Sequence, residues 1–388
     1  MPLSIACVYN DPEVRRHCLD RSLDAATGGV EFEYLPIDNT EQQFSSAGAA
    51  LNHAVRLATH DVVVFVHQDV FFHDLQRLET AASALSDPAW GVLGSCGVSA
   101  TGELAGRLRD RVILIGRSAP TPVPVQTLDE VLFMARRDDL LREPLSEDPQ
   151  LAWHAYAVEY ALRMRAAGRQ VGAVDTAITH NSITVNLARL DDAHRHVGTL
   201  YPQERPIRTT CGTVTAPKRQ WRALRMLREH PRGRTWLRQS LSATRVRAAL
   251  DVRVVIADIA YEVDLVDYSE QAPLHVVNID RDGAFAPDAG ATVCLERRGR
   301  PVVMSSVVRA DLEQALGEID EGDNVLVTGL THADLGDLSS FVAGRPSLAG
   351  VQWSEVWLLG GPGAVQPPEV WSRPGAVPLG AGSALVDR

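Results

Sequence analysis

The sequence has few cysteines and no long apolar run, and these two absences exclude several classes of protein. Five cysteines among 388 residues are odd in number and widely scattered, without a Cys-x-x-Cys pair, which disfavours both a disulfide framework and a zinc site. No apolar stretch approaches the roughly 20 residues that span a bilayer. The first residues lead into a strand-like segment without a charged leader, so we expect a cytoplasmic protein.

The sequence also lacks a glycine-rich loop after its first predicted strand. Residues 10–15 read Asn-Asp-Pro-Glu-Val-Arg and contain no glycine. A glycine-rich loop at this point cradles the phosphates in many nucleotide-binding enzymes. Its absence argues against a sugar nucleotidyltransferase, whose sheet would otherwise give a similar pattern.

The net charge of −11 conceals a strongly basic segment. Residues 217–247 contain ten Lys or Arg and a single acidic residue, Glu229. Their apolar residues fall near helical spacing, which predicts two short basic amphipathic helices separated at 231–233. Such helices lie on an anionic membrane surface, hold an acidic acceptor, or form a solvated linker that packs on its own protein. Nucleic acid is not an expected partner, because the rest of the chain is acidic and no groove-reading motif accompanies the segment.

Strand and helix patterns alternate along the first 210 residues. The strands are predicted at 3–9, 31–37, 62–66, 91–95, 112–115, 131–135 and 171–174, and the clearest helices at 45–58, 74–85 and 153–167. This alternation predicts an α/β fold with a mostly parallel sheet and helices on both faces. After the basic segment a second α/β pattern follows, with strands near 252–259, 274–279, 291–296, 301–308, 324–328 and 355–359.

We therefore predict three parts from the length and the pattern. Residues 1–213 form the first α/β domain, residues 214–250 a basic amphipathic helical linker, and residues 251–388 a smaller C-terminal α/β module. The last stretch of that module, from 360 onward, is rich in Gly and Pro and reads as a loose tail.

A polar triplet follows the most apolar predicted strand. Residues 62–66 are four valines and a phenylalanine, which is typical of a strand covered on both faces of a parallel sheet. His67, Gln68 and Asp69 come next. Because ligands of open α/β sheets bind beyond the carboxyl ends of the strands, a carboxylate here is placed to hold a hard cation and, through it, phosphate. The alternative interpretation is a strand that stops at a polar turn.

Several further motifs occur around this triplet in a fixed order. They are Tyr9-Asn10, Pro36-Ile-Asp38-Asn39, Ser45-Ser-Ala-Gly48 followed by Ala-Ala-Leu-Asn52, Phe65-Val-His-Gln-Asp69, Leu128-Asp129-Glu-Val-Leu-Phe-Met134, Trp153-His-Ala-Tyr-Ala-Val-Glu159, Gly168-Arg-Gln-Val-Gly-Ala-Val174 and Ile178-Thr-His180-Asn-Ser182. Together they resemble the GT-A nucleotide-sugar glycosyltransferases of the family 2 type, in particular a prokaryotic branch whose metal-binding motif is His-x-Asp. The resemblance covers residues 1 to about 200.

The resemblance implies a Rossmann-like GT-A fold and a transferase that moves a sugar from a UDP-, dTDP- or GDP-sugar donor to a hydroxyl acceptor. The implied mechanism is direct displacement with inversion at the anomeric carbon. Mg²⁺ or Mn²⁺ would be the cofactor, held by Asp69 with His67 and His180 as further ligands, so that the cation neutralises charge on the departing nucleotide. His180 is equally well explained as a local hydrogen-bonding group.

The resemblance also assigns residues to the donor. Those implied to bind the nucleotide sugar are Tyr9, Asn10, Asp38, Asn52 and Gln68. For Asp38 the structural alternative is a turn-forming Asp-Asn pair, and for Asn52 it is a position on a helix surface.

One position departs from the resemblance, and it concerns the catalytic base. In the wider family an Asp early in helix 153–167 removes the proton of the acceptor, and Ala157 stands at the matching position. An alanine side chain has no group that takes a proton. Glu159 and His154 on the same predicted helix, and Asp129 before the facing strand, are therefore the candidates for this role.

Two other interpretations stay open. Ala157 and the unassigned second half favour a catalytically impaired nucleotide-sugar-binding protein, or a scaffold that partners another enzyme. If the protein is an enzyme, the basic segment 217–247 favours a lipid-linked or membrane-proximal acceptor and a peripheral position at the membrane.

Overall fold

The structure is a computed structural model that describes residues 1–26, 29–110, 113–181, 189–215 and 284–285, together with four strands between 274 and 358. Within residues 1–215 the described strands are β1 (Leu3–Tyr9), β2 (Phe32–Asp38), β3 (Val62–Val66), β4 (Val70–Phe72), β5 (Trp90–Gly94), β6 (Gly97–Val98), β7 (Leu104–Ala105), β8 (Leu108–Asp110), β9 (Ile113–Ile115), β10 (Val123–Pro124), β11 (Thr127–Leu128), β12 (Leu132–Arg136), β13 (Gln170–Ala173), β14 (Ile178–His180), β15 (Ile207–Thr209) and β16 (Gly212–Val214). The α-helices are α1 (Pro12–Arg15), α2 (Arg21–Asp24), α3 (Ala47–Leu57), α4 (Leu75–Ser83), α5 (Arg137–Arg142), α6 (Tyr156–Ala166) and α7 (Leu190–Leu200), with a π-helical turn at Arg16–Asp20 and 3₁₀ turns at Ala84–Ser86 and Pro202–Glu204.

The central sheet has seven strands in the order β2-β1-β3-β12-β5-β13-β10. Strands β1, β2, β3, β5 and β13 share one direction, whereas β12 runs antiparallel between β3 and β5, and β10 runs antiparallel beside β13 at the edge. Smaller sheets adjoin it, including one in which β14 pairs with both β4 and β8. The prediction of a mostly parallel α/β sheet is confirmed.

Alternate residues of the central strands enter two apolar cores, one on each face of the sheet. Val62 and Val64 pack in a cluster with residues of α4, while Val63 and Phe65 pack in a second cluster with residues of α3 and α6. Full burial of such side chains contributes about 1.5–3 kcal/mol each. All five residues of β3 are buried, as expected of a strand covered on both faces.

The predicted strands of the first 210 residues are all present, with ends within one residue of the prediction. The helix predicted to begin at 153 instead begins at Tyr156. The reason is the backbone before it, where Ala152 and Ala155 have φ angles of 50° and 55°, a left-handed conformation that a right-handed helix does not contain. His154 lies in this turn, so its prediction as a residue of the helix was wrong.

The C-terminal region contains a second sheet. Its strands are β17 (Leu274–Ile279), β18 (Val302–Val307), β19 (Asn324–Leu330) and β20 (Gln352–Leu358), all parallel, in the order β18-β17-β19-β20. They agree with four of the six strands predicted there. The predicted strands 252–259 and 291–296, the basic segment 217–247 and the tail from 360 lie outside the described residues, so the domain boundaries stay predictions. Among the described residues, no helix is both long enough and apolar enough to cross a membrane.

Candidate functional site

Three side chains able to hold a cation come together at the end of β3. His67 and Asp69 follow that strand directly, and His180 is the last residue of β14, where it lies opposite Val70 of β4. One ligand atom each from His67, Asp69 and His180 lies within 4.8 Å of the other two. His180 Nε2 is 3.5 Å from Asp69 Oδ1. We refer to these three residues as the His-Asp-His cluster.

Burial controls the charge state of His67 in this cluster. Burial lowers the pKa of His67, and the neighbouring Asp69 carboxylate opposes that effect, so the imidazole is neutral near neutral pH. The neutral imidazole is the form that binds a metal ion. The Tyr156 hydroxyl lies 3.1 Å from His67 Nε2 and orients the ring, as outer hydrogen-bond partners of metal-binding histidines do.

The donor set of the His-Asp-His cluster fits a divalent cation. It combines one buried carboxylate with two imidazole rings whose centroids are 5.7 Å apart. Imidazole nitrogen together with carboxylate oxygen suits first-row transition metals, whereas Mg²⁺ prefers oxygen ligands and water.

Gln68 ties the end of β3 to the loop after β1. Its Oε1 accepts hydrogen bonds from the backbone N–H groups of Asn10 and Asp11, both at 3.0 Å, and its Nε2 donates to Asn10 Oδ1 at 2.8 Å. Two residues that the resemblance assigned to the donor, Asn10 and Gln68, therefore contact each other directly. This contact fixes the loop after β1 relative to the His-Asp-His cluster.

Tyr9 and Asp38 are neighbours at the carboxyl ends of β1 and β2, where the parallel register pairs them. Asp38 is exposed, and the Thr40 N–H, which donates to it at 2.8 Å, lowers the pKa of its carboxyl group. The Arg15 guanidinium lies 3.9 Å from the centroid of the Tyr9 ring. Sequence reasoning missed Arg15. Its only signal was a position just beyond the first predicted strand.

Asn52 is buried and holds a segment that lies 93 residues further along the chain. Its Nδ2 donates to the Leu145 carbonyl and to Glu147 Oε1, both at 2.9 Å, and its Oδ1 accepts from the Leu145 N–H at 2.9 Å. All three contacts are to protein atoms. The structure thus gives Asn52 a role in clamping residues 145–147 onto α3.

Glu159 and His154, two of the residues predicted as the catalytic base, interact with other residues of the protein. Glu159 forms an ion pair with Arg163 at 3.1 Å and accepts a hydrogen bond from the Tyr201 hydroxyl at 2.7 Å. His154 lies before α6, and burial together with the Arg189 charge lowers its pKa. Neither contact set includes a residue of the His-Asp-His cluster.

Asp129 and Glu130, the acidic pair before β12, lie at the same edge of the sheet as the His-Asp-His cluster. β12 is antiparallel to β3, so its start meets the end of β3, and the His67 N–H donates to the Val131 carbonyl at 3.0 Å. Asp129 accepts hydrogen bonds from the Thr210 hydroxyl and from the Val131 N–H. Burial, followed by the Asp129 charge, raises the pKa of the neighbouring Glu130 to about 8. Sequence reasoning missed Glu130, although two adjacent acids directly before a strand were a visible signal.

The segment that carries these features matches a known family. Residues 4–197, half of the chain, match the family described as "Glycosyltransferase like family". The chain belongs to this family. The resemblance found in the sequence is therefore confirmed, and all residues of the His-Asp-His cluster lie within the matched range. No curated protein matches this glycosyltransferase-like chain.

Solved glycosyltransferases are similar to part of this glycosyltransferase-like chain. One is the mannosyltransferase PcManGT from Pyrobaculum calidifontis, in complex with GDP-Man and Mn²⁺, with 14% identity, a TM-score of 0.37, and coverage of 52% of this chain and 63% of that one. A second is the catalytic domain of Drosophila beta-1,4-galactosyltransferase 7 in complex with xylobiose, with 15% identity, a TM-score of 0.31, and coverage of 45% and 64%. A third is S. aureus TarS, with 17% identity, a TM-score of 0.36, and coverage of 51% and 39%. The chain thus spans less than two thirds of the length of each.

Proposed function

We propose that the protein transfers a sugar from a nucleoside diphosphate donor to a hydroxyl acceptor, with a divalent cation held by the His-Asp-His cluster. The observation that carries this proposal is the convergence of His67, Asp69 and His180 at the carboxyl end of a central strand. In an open α/β sheet this edge is where ligands bind. Membership of a glycosyltransferase-like family supplies the reaction class.

The cation would bind through the Asp69 carboxylate and one ring nitrogen each of His67 and His180. When bound, it would neutralise negative charge on the departing diphosphate. Because two of the three ligands are nitrogen, we propose Mn²⁺ rather than Mg²⁺ as the preferred ion.

The donor nucleoside would occupy the end of β1 and β2. Asp38 offers an exposed carboxylate for a base N–H, and the Tyr9 ring offers an apolar face beside it. Arg15 stacks on that ring and pairs with Asp20 at 3.0 Å, and its remaining guanidinium N–H groups would be suited to a phosphate. The pair formed by Asn10 and Gln68 would line the path from this pocket to the cluster.

The transfer itself would be a single displacement. The acceptor oxygen forms a bond to the anomeric carbon while the bond from that carbon to the diphosphate oxygen breaks, and the nucleoside diphosphate leaves with the electron pair. A base takes the proton of the acceptor hydroxyl. One displacement inverts the anomeric centre. The protein contributes by positioning and by electrostatic stabilisation of the leaving group.

The class of acceptor is proposed from the positive charge of the segment 217–247 alone. The sequence segment 217–247 would bring a membrane-proximal or lipid-linked acceptor to a protein that is otherwise acidic. We accordingly propose a cytoplasmic protein with a peripheral position at an anionic membrane.

A second candidate function is donor binding without turnover. It is favoured by Ala157, which has no proton-accepting group at the position where the family carries its base, and by the protein partners of Glu159. In that case the protein would act as a nucleotide-sugar-binding partner of another enzyme.

The test is a comparison of donor binding and donor turnover with and without Mn²⁺. UDP-, dTDP- and GDP-sugars would be titrated by calorimetry, and release of the nucleoside diphosphate would be measured with water as the acceptor. Asp69→Asn should weaken Mn²⁺-dependent donor binding by about 100-fold or more. Replacement of the outer hydrogen-bond partners of metal ligands already lowers metal affinity by about 10- to 100-fold, and Asp69 would be a ligand itself. Mg²⁺ should support weaker binding than Mn²⁺.

Asp61→Asn is a matched control. Asp61 is exposed and lies at the opposite end of the same strand, so the same chemical change there should leave binding unaltered. Donor binding that is equally tight in Asp69→Asn, or in the presence of EDTA, would contradict the metal assignment. Binding without any turnover in the wild-type protein would favour the second candidate.

A further inference from the structure

Glu130 occupies a position that the sequence resemblance did not assign. It lies two residues before β12, at the end of that antiparallel strand which meets the carboxyl end of β3. The residue that follows it, Val131, accepts the His67 N–H at 3.0 Å. Glu130 is therefore the chain neighbour of a residue that is hydrogen-bonded to the backbone of the His-Asp-His cluster.

The Glu130 side chain is directed at the start of α6. The backbone N–H groups of Tyr156, Ala157 and Ala155 face its carboxylate. Its Oε1 is buried, and within the part of the chain that the structure describes this oxygen has no hydrogen-bond partner. The Glu130 carboxylate thus lies against the backbone of Ala157. At this position the alanine side chain has no group that could take a proton.

The other acidic groups near this edge are held by protein partners. Glu159 is paired with Arg163 and Tyr201, and both oxygens of Asp129 accept hydrogen bonds from Val131 and Thr210. We propose that Glu130 is the catalytic base that takes the proton of the acceptor hydroxyl, a role that rests on the proposed glycosyl transfer. It would replace, from the turn before β12, the carboxylate that Ala157 of α6 does not provide.

The proton of the acceptor O–H moves to a carboxylate oxygen of Glu130 as the acceptor oxygen bonds to the anomeric carbon, and the electron pair of the broken glycosyl bond leaves with the nucleoside diphosphate. A base is most effective when its pKa lies near the working pH. Burial raises the pKa of Glu130 to about 8, the Asp129 charge raises it further, and the three backbone N–H groups oppose both. Tyr156, whose hydroxyl lies 3.1 Å from His67 Nε2, also interacts electrostatically with this carboxylate, and burial keeps the pKa of Tyr156 well above the ordinary value.

A purely structural role for Glu130 would be to cap α6. Ala155 at the start of that helix provides no side-chain cap, and a carboxylate at a helix N-terminus stabilises the helix. Replacement of Glu130 would have different effects if it were a helix cap or a catalytic base. Loss of a cap lowers the stability, whereas loss of a base lowers turnover and leaves donor binding intact.

The experiment uses the full chain with Mn²⁺ and the donor that the wild-type protein hydrolyses fastest, with water as the acceptor. Glu130→Gln should retain the donor Kd within about threefold and lower kcat by about 10²- to 10⁴-fold, the usual contribution of general acid–base catalysis. Glu130→Asp, which keeps a carboxylate, should retain at least tenfold more activity than Glu130→Gln. Glu143→Gln makes the same change at an exposed glutamate after α5 and should leave kcat unchanged.

The pH profile of the wild-type protein gives a test that needs no variant. The rate constant kcat/KM should rise with pH through one ionisation between pH 5 and 9, because the base acts in its deprotonated form. A flat profile over that range would overturn the proposal, as would turnover of Glu130→Gln within threefold of the wild-type rate. If the wild-type protein binds no donor, or binds it without turnover, the proposed transfer fails as well, and that outcome is visible before any variant is made.

Discussion

Replacement of Asn52 by Ala distinguishes a structural clamp from a donor ligand. The sequence resemblance assigned Asn52 to the nucleotide sugar, whereas its amide makes three hydrogen bonds to the segment 145–147. Each contributes about 0.5–1.5 kcal/mol net, so Asn52→Ala should lower the free energy of unfolding by about 2–4 kcal/mol. Two of these bonds go to the backbone of Leu145, which is buried, and its N–H and C=O would be left without these partners.

The assay is urea denaturation followed by tryptophan fluorescence, with donor affinity measured separately on the folded variant. The midpoint should fall without a change in slope, and the donor Kd should stay within about threefold. Arg56→Ala, an exposed change on the same helix, should shift stability by no more than about 0.5 kcal/mol. Unchanged stability together with a tenfold loss of donor affinity would show that Asn52 binds the donor directly, and the clamp argument would be refuted.

Two further predictions concern stability. In Gly48→Ala, a Cβ at position 48 would lie 2.0 Å from the Ser146 carbonyl oxygen, so α3 and the 145–147 segment must separate; we expect a loss of about 1–3 kcal/mol in thermal unfolding, and an unchanged Tm would contradict it. Burial, with a smaller effect of Arg109, lowers the pKa of His73 to about 3, below the ordinary value of about 6.5. Between pH 7 and pH 5 the unfolded chain therefore gains a proton at His73 that the folded protein does not, and stability falls by about 2 kcal/mol; His73→Gln should reduce that acid sensitivity by the same amount in urea titrations at the two pH values, and equal sensitivity of both proteins would refute the argument.

Local sequence patterns were sufficient for the strands of the central sheet and for the position of His67 and Asp69 at its edge. The run from Val62 to Val66 has the composition of a strand buried on both faces, and a strand end locates whatever follows it, so His67 and Asp69 could be placed on the sheet edge. The inference for His67 and Asp69 needs only the period of a strand and the rule that ligands bind at carboxyl ends. His180 was added by the family resemblance, because no strand was predicted to end there.

The base side of the site depends on information that periodicity does not contain. Nothing in the residues of β12 shows that this strand runs antiparallel to β3, so periodicity did not place the acids before it near His67, and Asp129 became a candidate only through the family resemblance. The left-handed turn at Ala155 is equally invisible, because alanine normally favours a helix. Glu130 and the true start of α6 therefore became evident only when the strands and the turn were seen together.

The reversed direction of β12 divides the site into two parts with different freedom to change. Except for His180 of β14, the residues proposed to hold the metal ion and the nucleoside lie at or just after the ends of β1, β2 and β3, whose parallel pairing and buried cores restrict any insertion. The acidic pair instead lies at the entrance of β12, after a stretch of short strands between β5 and β12 that belong mostly to small peripheral sheets. In the proposed function, length and sequence changes in that stretch would reshape the side that receives the acceptor while the donor side keeps its geometry. A single reversed strand would then let one scaffold serve different acceptors with the same donor chemistry.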